Sequence, residues 1–122
     1  NGKIPALADR SMPSSEEHVF ESSSILLHLA EREGKLLPQN PEERRECLNW
    51  LFWQHGSMGP YVGQFGFFYK YSPEKIDAAI RRYAIETLRL LDVLDRHLEG
   101  KQYMVGDELT IADIAIFPWV RC

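Results

Sequence analysis

The segment LTIADIAIF, residues 109–117, limits what this chain can fold into more than any other feature. Thr110 is typical of a helix N-cap, and Asp113 lies three positions later. In this capping-box pattern, each side chain can accept a hydrogen bond from the backbone N–H of the other residue. Leu109 and Ile114 occupy the flanking positions of a hydrophobic staple. Because the helix that follows is almost uncharged, other elements have to cover it. The segment therefore predicts a buried helix.

The first long helix is predicted to begin after residue 40. Asn40 can cap it, and Pro41 suits its first position, where the missing N–H costs nothing. The helix runs through the aromatic segment LNWLFWQHG, residues 48–56. The next stretch, residues 56–66, contains Pro60 and four glycines. We therefore expect the helix to bend there rather than continue as a straight rod.

A second long helix is predicted from Ser72-Pro73-Glu74 to a stop at Gly100. Its apolar residues keep helical spacing for about seven turns. The predicted apolar face consists of Ile76, Ile80, Tyr83, Leu88, Leu91, Leu94 and Leu98. From residue 41 onward the chain therefore reads as all-helical.

The N-terminal third has a different pattern. Residues 4–9 and 17–20 are typical of short strands, and the polar, proline-containing loop 10–16 joins them as a hairpin. A helix follows over residues 22–33, with Gly34 where a left-handed C-cap belongs. This part predicts a small α/β unit.

We place a linker at residues 35–40, because this stretch carries turn residues and no long periodicity. It separates a first part, residues 1–34, from a second, residues 41–122. The chain begins at Asn1 without an initiator methionine and ends within an apolar stretch at Cys122. We therefore expect an internal fragment of a longer protein.

Composition narrows the function classes. The formal net charge of −4 argues against nucleic acid and anionic membranes as partners, since both favour a basic surface. No apolar run approaches the roughly 18 residues that a membrane-spanning helix needs. The two cysteines, Cys47 and Cys122, form no C-x-x-C pattern, and no secretory signal is visible. These features predict a cytoplasmic protein without a structural disulfide.

The Ile4-Pro5 bond opens the first strand and allows two interpretations. Proline has no N–H for the ladder, so it belongs at the start or the edge of a strand. A trans bond, the common form, would make this a plain edge-strand start. A cis bond would turn the backbone N–H and C=O of Ile4 towards a peptide-like ligand.

Glu21 and Ser22 stand at the start of the helix that follows and also allow two interpretations. The free N–H groups of a helix start attract a carboxylate, to which Ser22 can donate its hydroxyl, while Glu21 can pair with an ammonium. Together they would hold the head group of an α-amino acid. Alternatively, Ser22 is an ordinary N-cap with an acidic neighbour. Under both interpretations, Ser23 and Ser24 are ordinary first-turn polar residues.

The chain resembles the cytosolic glutathione transferase family at three motifs in order. NGKIPAL is similar to its cis-proline strand, VFESSSILLHLAE to its γ-glutamyl site for glutathione, and LTIADIAIF to its capping-box helix. The segments LNWLFWQHGS, FGFFYKYSPEKI and RRYAIETLRLLDVLDRHL are similar to the bacterial Nu class. That branch is related to the yeast nitrogen-regulator prion protein and includes enterobacterial disulfide-bond oxidoreductases. The resemblance covers nearly the whole chain.

The resemblance implies a fold and a ligand. The fold would be a truncated thioredoxin-like α/β module followed by a truncated, all-α glutathione transferase C-terminal domain. Glutathione would be the co-substrate of a homodimer, with a small electrophile or a disulfide as the second substrate. The implied glutathione-binding residues are Ile4, Pro5, Glu21, Ser22, Gln54 and Arg82.

Two of these assignments have alternatives. Arg82 can neutralise a glutathione carboxylate or lie on a solvated helix face beside Arg81. Gln54 can contact the ligand or be a surface amide. The resemblance places the hydroxyl or amide that holds the glutathione sulfur upstream of Asn1, so no catalytic residue is named in this chain.

The cysteine, aromatic and histidine side chains are not interpreted as catalytic groups or metal ligands. Cys47, among apolar and aromatic residues, predicts an inert buried thiol. The aromatic residues between 65 and 71 predict core or dimer surface, and some of them an apolar wall for an electrophile. No sequence-local metal pattern joins the four histidines, His18, His28, His55 and His97, so no metal site is expected.

The sequence therefore predicts a glutathione-dependent transferase or glutathione-disulfide oxidoreductase. This chain would carry the γ-glutamyl and cysteinyl half of its binding site. A second interpretation is a non-enzymatic glutathione transferase-like binding or regulatory domain, since a fold does not fix a function. A third is a helical interaction scaffold, which would bind no glutathione.

Overall fold

The computed structural model describes residues 2–12 and 15–121. In chain order the elements are β1 (Ala6–Met12), β2 (Ser15–Phe20), α1 (Ser22–Glu33), α2 (Pro41–Trp53), α3 (Gly59–Gly66), α4 (Asp77–Leu98) and α5 (Ile111–Arg121). Two π-helical segments, Gln54–Met58 and Phe67–Tyr71, follow α2 and α3 respectively. Asn1, the centre of the predicted hairpin loop at residues 13 and 14, and Cys122 lie outside the described residues.

Strands β1 and β2 pair antiparallel, with Ala6 opposite Phe20 and an irregularity between Asp9 and Met12. The predicted hairpin is confirmed, but its strand bounds were wrong. β1 begins at Ala6 rather than at residue 4, because Pro5 has no N–H to extend the ladder. Both strands also continue into the polar stretch, where backbone pairing rather than apolar alternation maintains them.

Helix α1 spans the predicted residues, and Gly34 adopts the predicted left-handed conformation with φ 64° and ψ 30°. Its N–H donates to the Ala30 carbonyl, which closes the last turn. The interpretation of Ser22 as N-cap was wrong. The N-cap position belongs to Glu21, with φ 69° and ψ 124°, because the chain turns from β2 into α1 within that one residue. Within residues 2–12 and 15–121, the Glu21 side chain makes no hydrogen bond that caps this helix start.

The cap of α2 is as predicted: the Asn40 side-chain oxygen accepts from the N–H groups of Glu42 (2.9 Å) and Glu43 (3.3 Å). Of the stretch predicted to bend, residues 56–58 belong to the first π-helical segment and residues 59–66 form α3, so the chain stays helical through it. Pro60 lies in the first turn of α3, where its missing N–H does not interrupt the helix. The bend itself stays a prediction.

Close packing explains the glycine at position 59. A Cβ there would lie 3.1 Å from the amide nitrogen of Gln54 and 3.3 Å from the indole ring of Trp119. A Cβ at Gly63 would meet the same ring at 3.7 Å. The Trp119 side chain of α5 therefore packs directly against the backbone of α3.

Helix α4 begins at Asp77, later than predicted. Ser72 is not part of it, because its hydroxyl donates forward to the Glu74 carbonyl at 2.6 Å and holds a turn. Ile76 is extended at the N-cap position. The predicted stop is confirmed: the helix ends at Leu98, and Gly100 follows with φ 71°.

The buried face of α4 agrees only in part with the predicted one. Leu94 is buried as predicted, and Leu91 and Leu98 pack against the core. Leu88, however, is 66% exposed, and Thr87 and Leu90 are buried instead. The error arose because apolar residues outnumber the positions that α3 and the π-helical segments can cover. Apolar spacing alone does not show which side of such a helix is covered.

The core lies where α1, α2, α4 and α5 meet. Helix α5 buries one face, Ile111, Ala112, Ala115 and Ile116, but leaves Phe117 exposed, so the prediction of a buried helix holds for that face only. None of the helices in the described part of the chain combines the length and the apolar character that crossing a membrane requires.

Asp113 ties the start of α5 to the preceding loop. Its carboxylate accepts from the N–H of Thr110 (2.9 Å) and from that of Met104 (2.8 Å). The Thr110 hydroxyl also donates to it at 2.9 Å, instead of accepting from the Asp113 N–H as a reciprocal capping box would require. The predicted box is therefore half confirmed, and Asp113 carries it.

We expect Asp113→Ala to destabilise the fold by about 2–4 kcal/mol, because it removes a cap and leaves the N–H of buried Met104 without an acceptor. Urea denaturation measures this. Asp107→Ala, an exposed carboxylate in the same loop, is the control and should change the free energy of unfolding by less than about 0.5 kcal/mol. Equal effects of the two substitutions would contradict the assignment.

Asp9 joins the hairpin to α1. Its buried carboxylate lies 2.8 Å from His28 Nε2 and accepts from Arg32 Nη1 (2.7 Å) and the N–H of Ser11 (2.9 Å). The His28 ring, with the Ser11 N–H and the Arg32 guanidinium, holds the pKa of the Asp9 carboxyl well below its usual range. This cluster holds α1 against β1.

A lowered folded-state pKa stabilises the protein at pH values above the ordinary carboxyl pKa, about 3.9, and this stabilisation is lost as the pH falls below it. We therefore expect Asp9→Asn to lower stability at pH 7 and the deficit to shrink in acid. Urea midpoints from pH 7 to pH 3 check this. Glu17→Gln, which changes the exposed residue paired with Asp9 on β2, should show no such pH-dependent deficit.

Candidate binding site

Four of the predicted site residues lie at one end of the hairpin. The strands end with the pair Ala6 and Phe20, so Ile4-Pro5 and Glu21-Ser22 continue side by side from that pair. The Ile4-Pro5 bond is cis, as the ligand-binding interpretation requires. Ile4 is 95% exposed and lies outside the strand ladder. The hairpin register therefore brings together two segments that are 16 residues apart in sequence.

Glu21 presents a carboxylate beside an uncapped helix start. The first N–H of α1 with a carbonyl acceptor is that of Ile25, which donates to the Glu21 carbonyl at 2.9 Å. The Glu21 side chain caps none of the N–H groups that precede it, at residues 22–24, within the described part of the chain. A carboxylate next to free helix N–H groups can hold an ammonium and a carboxylate at once. The Glu21 side chain is 40% exposed, so a ligand can reach it.

The first turn of α1 contacts the end of α2 through polar side chains. The Ser23 hydroxyl lies 3.4 Å from Gln54 Oε1 and 3.3 Å from His55 Nδ1. The other ring nitrogen, His55 Nε2, lies 3.5 Å from Glu21 Oε2. These contacts link the helical part of the chain to the carboxylate of the candidate site.

Ser23 and His55 were missed by sequence reasoning. Ser23 is buried, so its interpretation as ordinary first-turn polarity was wrong. Its position three and four residues before Leu26 and Leu27, which pack on the core, was a usable signal for an inward side chain. His55 follows buried Leu51 by four residues, which gave a weaker signal of the same kind.

A small cavity lies against this cluster, between α1 and α2. Its volume is about 270 Å³. Its lining combines one carboxylate, one imidazole and two serine hydroxyls with apolar side chains: Glu21, Ser23, Ser24, Leu27, Leu51, Phe52 and His55. Ser22 is exposed and does not line it.

Gln54 is only 4% exposed, so its interpretation as a surface amide was wrong. Its side-chain oxygen is close to Ser23 Oγ, and its nitrogen side faces Gly59. Direct contact with a ligand stays a prediction, and the burial of Gln54 argues against it.

Arg82 is exposed on α4, with its guanidinium carbon 5.7 Å from the centre of the Tyr61 ring. No hydrogen bond or ion pair joins it to Glu21 or to Ile4 in the described part of the chain. The structure therefore does not place Arg82 with the four hairpin residues, and its role towards a ligand carboxylate stays a prediction.

The aromatic residues between 65 and 71 are half-buried or exposed, so of the two predicted alternatives the core is wrong and the dimer surface stays a prediction. Phe65 stacks on Tyr69 with ring centres 5.3 Å apart, and Phe68 stacks on Tyr83 at 5.6 Å. Phe67, Tyr69 and Tyr71 present much of their ring surface to solvent. These rings form an exposed aromatic surface rather than a sealed pocket.

Cys47 is fully buried, as predicted, and burial raises the pKa of its thiol, which disfavours the reactive thiolate. His97 packs on Trp50, and its Nε2 lies 2.7 Å from the Met104 carbonyl oxygen. Within residues 2–12 and 15–121, no three His, Cys, Asp or Glu side chains are grouped so as to hold a metal ion.

Comparison with known families and relatives identifies the family of the chain. Residues 58–122 match the family model of the glutathione S-transferase C-terminal domain. The disulfide-bond oxidoreductase YghU of Escherichia coli strain K12 is 52% identical over 119 residues, which are 98% of this chain and 41% of that protein. The chain thus spans less than half the length of this relative.

Two solved structures share the fold. The glutathione transferase YghU from Streptococcus pneumoniae, complexed with glutathione, has a TM-score of 0.91 at 52% identity, over 96% of this chain and 44% of that one. A glutathione transferase from Burkholderia graminis, with two glutathione molecules bound per subunit, has a TM-score of 0.93 at 43% identity, over 98% of this chain and 51% of that one. The chain has a glutathione transferase fold and belongs to the glutathione S-transferase family.

Proposed function

We propose that this chain carries the γ-glutamyl and cysteinyl half of a glutathione site in a glutathione-dependent transferase or disulfide oxidoreductase. The observation that carries the proposal is the Glu21 carboxylate beside the uncapped start of α1, at the same end of the hairpin as Ile4. The relatives support it, since one is named a disulfide-bond oxidoreductase and two are glutathione transferases with glutathione bound.

The γ-glutamyl group of glutathione ends in a free α-amino acid, which has the two charges that this site complements. Its ammonium would pair with Glu21, and its carboxylate would accept from the N–H groups of residues 22–24 and from the Ser22 hydroxyl. Hydrogen bonds between charged groups are shorter and stronger than neutral ones, so this head group would fix the orientation of the tripeptide.

The cysteinyl part of glutathione would lie along Ile4. The ladder begins only at Ala6, so the backbone N–H and C=O of Ile4 are outside it. A peptide that runs past Ile4 can use these groups as an added strand would. Pro5 contributes by its position, since it separates Ile4 from the paired part of β1.

On the same grounds we assign residues 1–34 to the C-terminal half of a thioredoxin-like module, residues 35–40 to a linker and residues 41–122 to the helical domain. The assignment to a thioredoxin-like module rests on the order of elements in residues 1–34, a hairpin followed by α1. Homodimerisation, like the role of Arg82, stays a prediction.

The chemistry proposed is that of the bound thiol. As a thiolate, glutathione can add to an electrophilic carbon, forming a C–S bond while a π bond of the electrophile breaks and its electron pair takes up a proton. Alternatively, it attacks one sulfur of a disulfide, which breaks the S–S bond and releases the other sulfur as a thiolate. A second glutathione thiolate can then resolve the mixed disulfide and release glutathione disulfide. The residues of this chain would position the tripeptide, which makes the step effectively intramolecular.

We expect Glu21→Gln in the full-length protein to weaken binding of S-methylglutathione by about ten- to a hundredfold, because a charge-assisted contact is lost. Ser22→Ala should cost less, about threefold, since only one neutral donor is removed. Isothermal titration calorimetry measures both. Glu33→Gln, at the other end of α1, is the control and should leave affinity unchanged.

The double variant Glu21→Ala, Ser22→Ala separates the interpretations further. If it binds as tightly as the parent protein, the site is assigned to the wrong residues. If the parent protein itself does not bind S-methylglutathione, the helical scaffold interpretation is favoured instead.

A further inference from the structure

We propose that His55 is a positioning residue for Glu21, and that its protonation state sets how tightly the site holds an ammonium group. The neutral ring would orient the carboxylate, and the protonated ring would compete with the ligand for it. This inference rests on the proposed glutathione site and adds its regulation by pH.

The two ring nitrogens of His55 face different partners: Nε2 is near Glu21 and Nδ1 is near Ser23. His55 Nε2 lies 3.5 Å from Glu21 Oε2, and His55 Nδ1 lies 3.3 Å from Ser23 Oγ. The ring is therefore held from behind by Ser23, which is 5% exposed and cannot move away without breaking the packing of α1. Its other edge points at the carboxylate.

The number of protons on the His55 ring and the Ser23 hydroxyl decides which hydrogen bonds among Ser23, Gln54, His55 and Glu21 can form together. A side-chain amide oxygen such as Gln54 Oε1 only accepts, and the Ser23 hydroxyl has one proton to give. With a neutral ring, that proton can go to His55 Nδ1, and Nε2–H then donates to Glu21 while Gln54 Oε1 loses its donor. With a protonated ring, Nδ1–H donates to Ser23, Ser23 donates to Gln54, and Nε2–H still faces Glu21.

The protonated ring thus lets Ser23 Oγ and Gln54 Oε1 each receive a proton donor and brings a positive charge to Glu21. That charge offsets the attraction of the carboxylate for a ligand ammonium. Both side chains are about 40% exposed, so the interaction is of the modest, solvent-screened kind. The neutral ring leaves the carboxylate with its full charge and fixes its orientation.

Among the described residues, the surroundings of His55 add no second ion pair to its contact with Glu21. The other residues that line the cavity on α1 and α2, Ser24, Leu27, Leu51 and Phe52, are uncharged. Helix α3, which also contacts this segment, has no charged residue. In the described part of the chain, the contacts of charged side chains on α4 and α5 are with residues other than His55. On α4 the contacts are Arg82 with Tyr61, Glu86 with Arg89, Asp92 with Arg96 and His97 with Met104. On α5 they are Asp113 with Thr110 and Arg121 with Phe117. The remaining charged residues of α4, Asp77, Arg81 and Asp95, are exposed. In the described part of the chain, Glu21 is the acidic side chain within 4.0 Å of the ring nitrogens of His55.

The test is the affinity of the full-length protein for S-methylglutathione at pH 7.5 and pH 5.5, by isothermal titration calorimetry. This ligand has no free thiol, and histidine is the side chain whose charge ordinarily changes in this interval. We expect binding about two- to fivefold weaker at pH 5.5. We also expect net proton release on binding near pH 6, seen by repeating the titration in buffers of different ionisation enthalpy.

Two variants of His55 distinguish orientation from competition. His55→Gln keeps a neutral donor near the Nε2 position, so it should bind as the parent protein does at pH 7.5 and lose the pH dependence. His55→Ala should bind more weakly than His55→Gln at pH 7.5, because nothing orients Glu21. His18→Gln, in an exposed histidine of β2, is the control and should keep the pH dependence of the parent protein.

The inference is wrong if the parent protein binds equally well at both pH values, or if His55→Gln keeps the pH dependence. Such a result leaves the proposed function intact as long as Glu21→Gln still weakens binding at pH 7.5. Absence of binding by the parent protein at pH 7.5 would instead overturn the proposed function, and this inference with it.

Discussion

The buried Ser23 hydroxyl joins the first turn of α1 to the segment after α2, where Gln54 Oε1 and His55 Nδ1 both lie close to it. The geometry of the candidate site depends on this junction. On the opposite side, Asp9 holds the same helix against the hairpin through His28 and Arg32. Helix α1 is thus fixed from both sides, and Glu21 stands at its first turn. The candidate site is positioned by these contacts on the two sides of α1.

The backbone of Glu21 has a positive φ, 69°, which is unfavourable for a residue other than glycine. A positive φ in a residue other than glycine costs about 1–3 kcal/mol, and it persists only where the surrounding structure determines it. Here β2 determines the chain before Glu21 and α1 the chain after it. The strained residue is also the one whose carboxylate is proposed to bind the ligand ammonium, which is the usual relation between strain and function in folded proteins.

Local signals in the sequence predicted the parts of the fold that local chemistry controls. The limits of α1, the left-handed Gly34 and the Asn40 cap follow from interactions between residues at most five positions apart, so the sequence displays them directly. The start of α4 was wrong because Ser72 bonds forward to a carbonyl, an alternative that a capping rule does not weigh.

The candidate site was predictable only in part, for the same reason. Glu21 and Ser22 are adjacent in sequence and could be interpreted together, and the hairpin brought Ile4 to them. Ser23 and His55 are 32 residues apart, so no sequence spacing relates them, and their contact becomes visible only when α1 packs on α2.

We propose that Glu21 and the start of α1 bind the amino-acid head group of glutathione. A crystal structure of the full-length protein with S-methylglutathione would test this. We expect the ligand ammonium about 2.7–3.0 Å from the Glu21 carboxylate, with the ligand carboxylate at the N–H groups of residues 22–24. A ligand whose head group binds elsewhere, with Glu21 facing only solvent and His55, would contradict it.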